Sequence, residues 1–287
     1  MPVNTRQIRR RIRSVKNTSQ ITKAMEMVAA SKMRRAQQMV LASRPYSEKM
    51  STLLSHLAAA IGIVEVPHAL LARREAKNVG VVLITSDRGL CGGLNSNVIR
   101  QGASFILDQK CPVKLITVGR KGRDWMARRR QNIIADFTQI PDRPKLVETT
   151  PVSHIIIDEY QAGEMDEVYA IYTRFISTLV QKPVVTKLLP IEPAPELTDA
   201  YLEYIYEPNP SAVMTHLLPR FIEVQVYQTI LDAIASEQSA RMVAMRNATE
   251  NAKDLIDGLT LSYNRARQAS ITTEITEISA GAEALAG

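Results

Sequence analysis

The residues most open to chemistry in this chain are the glycines of SDRGLCGGLN, residues 86–95. They follow a continuous apolar, β-branched run over 79–85 and precede a helical pattern over about 97–109. A strand, a glycine-rich turn and a helix can hold a phosphate on backbone N–H groups at the helix N-terminus. Gly89, Gly92 and Gly93 fit neither G-x-G-x-x-G nor G-x-x-x-x-G-K-[ST]. No Lys-Ser or Lys-Thr follows, and the next strand leads into Gly119-Arg120-Lys121 rather than an acid suited to a ribose. A tight turn with close sheet–helix packing accounts for the same glycines, so both readings stand, packing being the more economical. No Ser/His/Asp, Cys/His or paired-carboxylate arrangement stands out elsewhere. Cys91 and Cys111 are too few for a disulfide framework and too far apart for a CxxC site, which fits a reduced, cytosolic setting. His56, His68, His154 and His216 lack metal-ligand spacing. The expectation is of a chain with no catalytic residue, no cofactor and no metal, a phosphate on the glycine turn being the less economical alternative.

The elements around this turn form an α/β domain. Strands are expected at 79–85, 113–118 and 133–137, with helices at 97–109 and 123–130, a βαβαβ pattern that favours a parallel sheet. A further helix is expected at 153–162. Longer strands at 167–177 and 183–191 suggest an antiparallel, hairpin-like edge, and 201–206 a short last strand. Residues 62–78 read as a linker, Pro190, Pro193 and Pro195 as a loop, and Pro208 and Pro210 as the opening of a terminal helix.

Heptad seams flank this domain on both sides. Leu217, Phe221, Val224, Gln228, Leu231, Ala235, Gln238, Met242, Met245, Thr249, Ala252, Ile256, Leu259, Tyr263, Ala266, Ser270 and Thr273 alternate steps of four and three. Ile8, Ile12, Val15, Ser19, Thr22, Glu26, Ala29, Met33, Ala36, Val40, Ser43, Ser47, Met50, Leu54, Leu57 and Ile61 do the same near the other end. A mean spacing of 3.5 residues demands a left-handed supercoil, and two such helices in one chain most simply pair as an antiparallel coiled coil. Ser19, Thr22 and Glu26 put polar groups where a core belongs, and a second stripe one position over, Ile21, Met25 and Val28, could take up the packing there. Pro45 costs roughly 3 kcal/mol in a helix interior, which predicts a kink or break near 42–45. The fold expected is a long coiled coil of N- and C-terminal helices, residues 1–61 and 210–287, with a Rossmann-like α/β domain and linker over 62–209 between them. The helices would be on the order of 80 and 110 Å long. The C-terminal one would overhang by roughly 25–30 Å. That overhang, from about Ser270, carries Ile271, Ile275, Ile278 and Leu285, and a lone apolar helix needs a sleeve.

The 287 residues carry a net charge of +7, with the excess concentrated in the first fifty residues, where arginines and lysines face only Glu26 and Glu48. A solvated helix face, an acidic protein partner and nucleic acid all fit such a run. The lack of interleaved aromatics places nucleic acid last. Residues 1–20 lack the apolar stretch of a secretory signal, and no apolar run reaches membrane-spanning length.

Three stretches together resemble the gamma subunit of F-type ATP synthases: ITKAMEMVAASKMRR at 21–35, TSDRGLCGGLN at 85–95 and RARQASITTEITEISAGAEA at 265–284. In the last, Ile271, Thr272, Glu274, Glu277, Gly281 and Ala282 fill the family's C-terminal signature. The resemblance covers nearly the whole chain. It implies a non-catalytic rotor shaft, turning inside a ring of alpha and beta subunits, with a foot on the epsilon subunit and the membrane c-ring. Proton-driven rotation of that ring would bias each catalytic beta subunit in turn. It implies partner contacts at Met25, Arg241, Arg267, Gln268 and Thr272, and at Glu207 near the membrane ring. Without the regulatory cysteine insertion and transit peptide of chloroplast relatives, a bacterial protein peripheral to the cytoplasmic face of the cell membrane is expected. Rival readings are a nucleotide- or phosphate-dependent enzyme using the glycine turn and a coiled-coil nucleic-acid adaptor using the basic helix.

Overall fold

The computed structural model describes residues 5–61, 69–192, 207 and 209–286. Two long helices, α1 (Thr5–Ile61) and α5 (Pro210–Ala286), bracket an α/β region. The chain divides into two compact units. Met1–Val28 with Met242–Gly287 form a coiled-coil unit; Ala29–Arg241 form a sheet unit.

In the coiled-coil unit the helices run antiparallel, since partners rise along α1 as they fall along α5. Arg9 bonds Tyr263, Thr22 meets Thr249 and Glu26 meets Arg246. The seam positions are the shielded ones. Met242, Met245, Thr249 and Ala252 are buried, while Ile256, Leu259, Tyr263 and Ala266 are partly so. From Arg267 to Ala282 every residue is exposed, though the helix continues. Pairing thus ends within a turn of the expected point near Ser270.

The structure corrects the expected drift of the seam. Ile21 and Val28 are 61% and 55% exposed and Met25 is partly buried, whereas Thr22 and Glu26 are only 9% and 7% exposed. The polar residues keep the core positions because each finds a polar partner across the seam, which removes the penalty for burying them.

The sheet unit holds β1 (Val79–Ile84), α2 (Leu94–Asp108), β2 (Val113–Val118), α3 (Arg120–Arg128), β3 (Ile133–Phe137), α4 (Leu146–Gln161), β4 (Glu167–Phe175) and β5 (Gln181–Leu189). The strand order is β3-β2-β1-β4-β5. The first four strands are parallel, and β5 pairs antiparallel to β4 as the edge. Burial of all of β1 explains its unbroken apolar run. One core joins Met50, Leu54 and Leu57 of α1 and Phe221, Ile222 and Ile230 of α5 to Val82, Ile116, Ile156 and Tyr160. A second core lies around Val81, Leu83, Val98, Leu115 and Met126. A third cluster in this unit packs Ala36 and Val40 of α1 with Leu231 and Ala235 of α5.

Several boundaries differ from the sequence reading. The helix expected at 153–162 begins at Leu146, because Glu148 accepts from the Lys145 N–H at 2.6 Å and starts it ahead of Pro151. Of the kink or break expected at 42–45, the break is absent: α1 is one helix with Pro45 inside. Pro45 and Leu41, whose carbonyl loses its N–H partner, are both exposed, so water can satisfy that carbonyl while the buried face on either side holds the helix together. Asn209 caps α5, its Oδ1 accepting from the Ala212 N–H at 2.8 Å, with Pro210 at the first helical position. The strand expected at 201–206 and the prolines at 193 and 195 lie outside the described residues.

Candidate functional site

The glycine turn lies at the C-terminal edge of β1, and its conformation comes from its own side chains. Leu90 and Gly92 adopt φ values of 63° and 58°. Asn95 donates to Ser86 Oγ at 2.7 Å and accepts from the Ser86 N–H at 3.1 Å, drawing the start of α2 back onto the end of β1. Asp87 reaches the other way. Its Oδ1 accepts from the Arg120 N–H at 2.9 Å and its Oδ2 from the Gln139 N–H at 2.8 Å. The leading amide of α3 thus serves a carboxylate of the glycine turn itself, tying the ends of β1 and β2 together. Gly119 sits at φ 96°, and a Cβ there would lie 2.1 Å from the Thr85 carbonyl oxygen, so only glycine lets β2 turn so close to β1.

Helix α5 fills the space beyond this edge. Arg241 is buried; its Nη2 lies 2.6 Å from Glu237 Oε1 and donates to the Gly89 carbonyl at 3.2 Å. Burial pushes the Glu237 carboxyl above the usual carboxylate range, and Arg241 holds it partly back. Burial likewise raises the Cys91 thiol, which is no pattern for a reactive thiolate. Ser236 donates to the Thr173 carbonyl at 2.9 Å and Ser239 to that of Thr178 at 2.8 Å, pinning α5 to the end of β4 and the turn after it. The space left among Thr85, Asp87, Gly119, Ile234 and Glu237 measures about 50 Å³, room for water rather than a nucleotide. The tight-turn reading of the glycines accounts for what the structure shows at Leu90, Gly92 and Gly119.

The residues singled out as partner contacts do not converge. Arg267, Gln268 and Thr272 lie on successive turns of α5, all exposed, with the Thr272 hydroxyl donating to the Gln268 carbonyl at 3.0 Å. Met25 is partly buried on α1, beside Glu26 and hence at the level of Arg246. That is about 30 Å along α5 from Arg267. Arg241 belongs to the junction just described, and Glu207 is an exposed bend residue. Ile271, Ile275 and Ile278 form an exposed apolar stripe at spacings of four and three around that first group. On α1, Ile21, Met27, Val28 and Leu41 are exposed as well.

The basic residues of α1 divide. Lys32 pairs with Asp142 at 2.6 Å, Lys23 with Glu26 at 3.0 Å, and Arg9 bonds and lies over the Tyr263 ring. Arg10, Arg11, Arg13 and Lys16 are exposed.

Sequence reasoning missed the polar layer of Thr22, Glu26, Arg246 and Thr249. Glu26 has its carboxyl lowered by the Lys23 hydrogen bond, against burial, with Arg246 adding to the effect. A usable signal existed: threonine occupies a seam position in both helices.

The family model described as "ATP synthase" matches residues 4–285. A protein from Dehalococcoides mccartyi called "ATP synthase gamma chain" is 53% identical over 283 residues, 99% of each chain. A protein of the same name from Roseiflexus castenholzii is 50% identical over 99% of each. Among solved structures, a chain of the central stalk and c-ring of the Tetrahymena thermophila mitochondrial ATP synthase is similar, with a TM-score of 0.62 at 25% identity over 79% of this chain and 99% of that one. A chain of the Euglena gracilis mitochondrial enzyme shares the fold, with a TM-score of 0.68 at 19% identity over 98% and 94%.

Proposed function

This chain belongs to the ATP synthase gamma-chain family, and from that premise we propose how it works: as the central-stalk rotor that couples turning of a membrane c-ring to conformational change at catalytic beta subunits. The observation that carries the proposal is the exposed end of α5. From Arg267 to Ala282 a helix with an apolar stripe continues without any shielding from its own chain. Such a stripe is stable in water only inside a sleeve of other subunits, here the ring of alpha and beta.

The mechanism is differential contact. A rotor shifts the equilibrium of a catalytic subunit only by binding its conformations unequally. Arg267, Gln268 and Thr272 offer polar contacts at the level of the stripe, and Met25 offers an apolar one about 30 Å lower. Exposed Arg10, Arg11, Arg13 and Lys16 suit acidic loops of the beta subunits. Arg241 acts from within its own chain, tying α5 to the glycine turn, so any contact with a partner is made through an already paired guanidinium. Glu207, with the epsilon subunit nearby, meets the membrane ring. The chain contributes no group to the chemistry of ATP; it transmits torque from proton-driven rotation. Among the described residues no helix is long and apolar enough to cross a membrane. Attachment is through partners, at the cytoplasmic face of a bacterial membrane.

The test is assembly. Co-expressed with alpha and beta subunits, the full chain should be recovered with both, and a chain ending at Ala266 should assemble weakly or hydrolyse ATP without coupling. Recovery of the full chain as a stable monomer in the presence of both partners would overturn the proposal.

A further inference from the structure

We infer that Thr22, Glu26, Arg246 and Thr249 form a polar key that fixes the axial register of α1 against α5 in the coiled-coil unit, making them positioning residues for Met25. The apolar part of this seam specifies register poorly. Met242, Met245 and Ala252 are soft or small, and such side chains pack acceptably after a slip of one heptad. The polar layer does not.

The two threonine hydroxyls lie 2.7 Å apart, both buried. Thr22 also reaches the Ser19 carbonyl at 3.1 Å and Thr249 the Met245 carbonyl at 2.8 Å. Two protons therefore serve one bond across the seam and one to backbone, whichever hydroxyl donates across, and neither oxygen is left without a partner. One turn away, Glu26 accepts from Arg246 at 3.2 Å and from Lys23 at 3.0 Å.

A slip of one heptad sets Thr22 against Ile256 or Met242 and strips both hydroxyls of the bond between them. In one direction Glu26 would meet Ser239, in the other Lys253, so the charge can be answered in one slipped register but the threonines in neither. Polar residues at core positions select register in coiled coils at some expense of stability. Here the selected register holds Met25 at one level of the shaft. The register is a property of the two helices alone; only the use made of the level of Met25 rests on the rotor reading.

The experiment compares distances between spin labels at two exposed positions, Asn17→Cys and Ser270→Cys, on the full chain by itself, with Cys91→Ser and Cys111→Ser. The positions are offset along the axis, so a one-heptad slip moves one label by about 10 Å. With the native layer, one distance is expected. With Thr22→Val, Thr249→Val, Glu26→Leu and Arg246→Leu together, helicity should persist and a second population displaced by about 10 Å should appear. Exchanging the charges, Glu26→Arg with Arg246→Glu, should keep the single distance. A single unchanged distance in the apolar variant would overturn the inference. So would its loss of helicity, since the layer would then supply stability rather than choice of register. A second population in the charge-exchanged protein would overturn the role of the ion pair.

Discussion

Helices α1 and α5 pair in both units, yet with different chemistry. In the sheet unit Ala36, Val40, Leu231 and Ala235 form an apolar contact, and the same helices also bury Met50, Leu54, Phe221 and Ile222 in the domain core. In the coiled-coil unit the central contacts are a threonine pair and an ion pair, and the described residues of α5 from Arg267 to Ala282 are all exposed. Burial against a sheet lets α5 anchor by area; pairing one helix on one helix leaves little area, so direction and register must come from polar groups. The difference matches the division of labour in a rotor: one unit must not move internally, the other must hold a defined face toward its surroundings.

The sharpest way to break this comparison is to damage the apolar contact. Leu231→Ala should destabilise the sheet unit by about 3 kcal/mol, read as a lowered urea midpoint. A loss within 0.5 kcal/mol would mean that α5 is not anchored by burial. Next comes the junction. Arg241→Ala leaves Glu237 buried without its partner and should cost roughly 2–3 kcal/mol at neutral pH. Because burial already raises the Glu237 carboxyl, the deficit should shrink as pH falls into the carboxylate range, where the group becomes neutral.

A third substitution should stabilise. Asp232 lines a polar crevice of about 340 Å³ with Arg44, Tyr172, Arg174 and Gln228. Burial raises its carboxyl from the ordinary 3.8 to about 6, despite Arg174 and Arg44. A raised carboxylate favours folding below the unfolded pKa and loses that contribution as pH rises through the folded one. Asp232→Asn, which imitates the protonated form, should therefore stabilise by up to about 2 kcal/mol at pH 7, a gain that vanishes near pH 4. Thermal melts at the two pH values check it.

The polar layer should respond less and with opposite sign. Glu26 is held below its ordinary value first by Lys23 and then by Arg246, against burial, so its contribution is present above pH 4.5 and fades as pH falls below it. Both cations are more than half exposed, so Glu26→Gln should cost under about 1 kcal/mol at pH 7. Smallest of all, Ile275→Ser in the exposed stripe should leave the stability of the free chain within about 0.5 kcal/mol. The same change should weaken recovery with alpha and beta subunits.

What could be read from the sequence follows the same divide. The heptad seams, β1 and the antiparallel edge were legible because apolar periodicity reports burial directly. The exposed end of α5 was legible as a difference in helix length. The start of α4 lies ahead of Pro151, where Glu148 begins the helix, and apolar periodicity does not report such a cap. Thr22 and Glu26 read as defects because their partners, Thr249 and Arg246, lie more than two hundred residues away. Arg241 was legible only through family resemblance, and its pairing with Glu237 and Gly89 depends on the turn conformation that Leu90 and Gly92 set. Periodicity finds which face is buried; it does not find which polar groups meet there.

The central claim is that this chain turns as a shaft, and rotation can be watched. The complex with alpha and beta subunits would be fixed to a surface and a bead attached through Leu107→Cys, an exposed site at the end of α2. The account predicts unidirectional, ATP-driven rotation of the bead, abolished when the chain is cross-linked to a beta subunit. ATP hydrolysis proceeding at its full rate with the bead still, or unaffected by that cross-link, would contradict it.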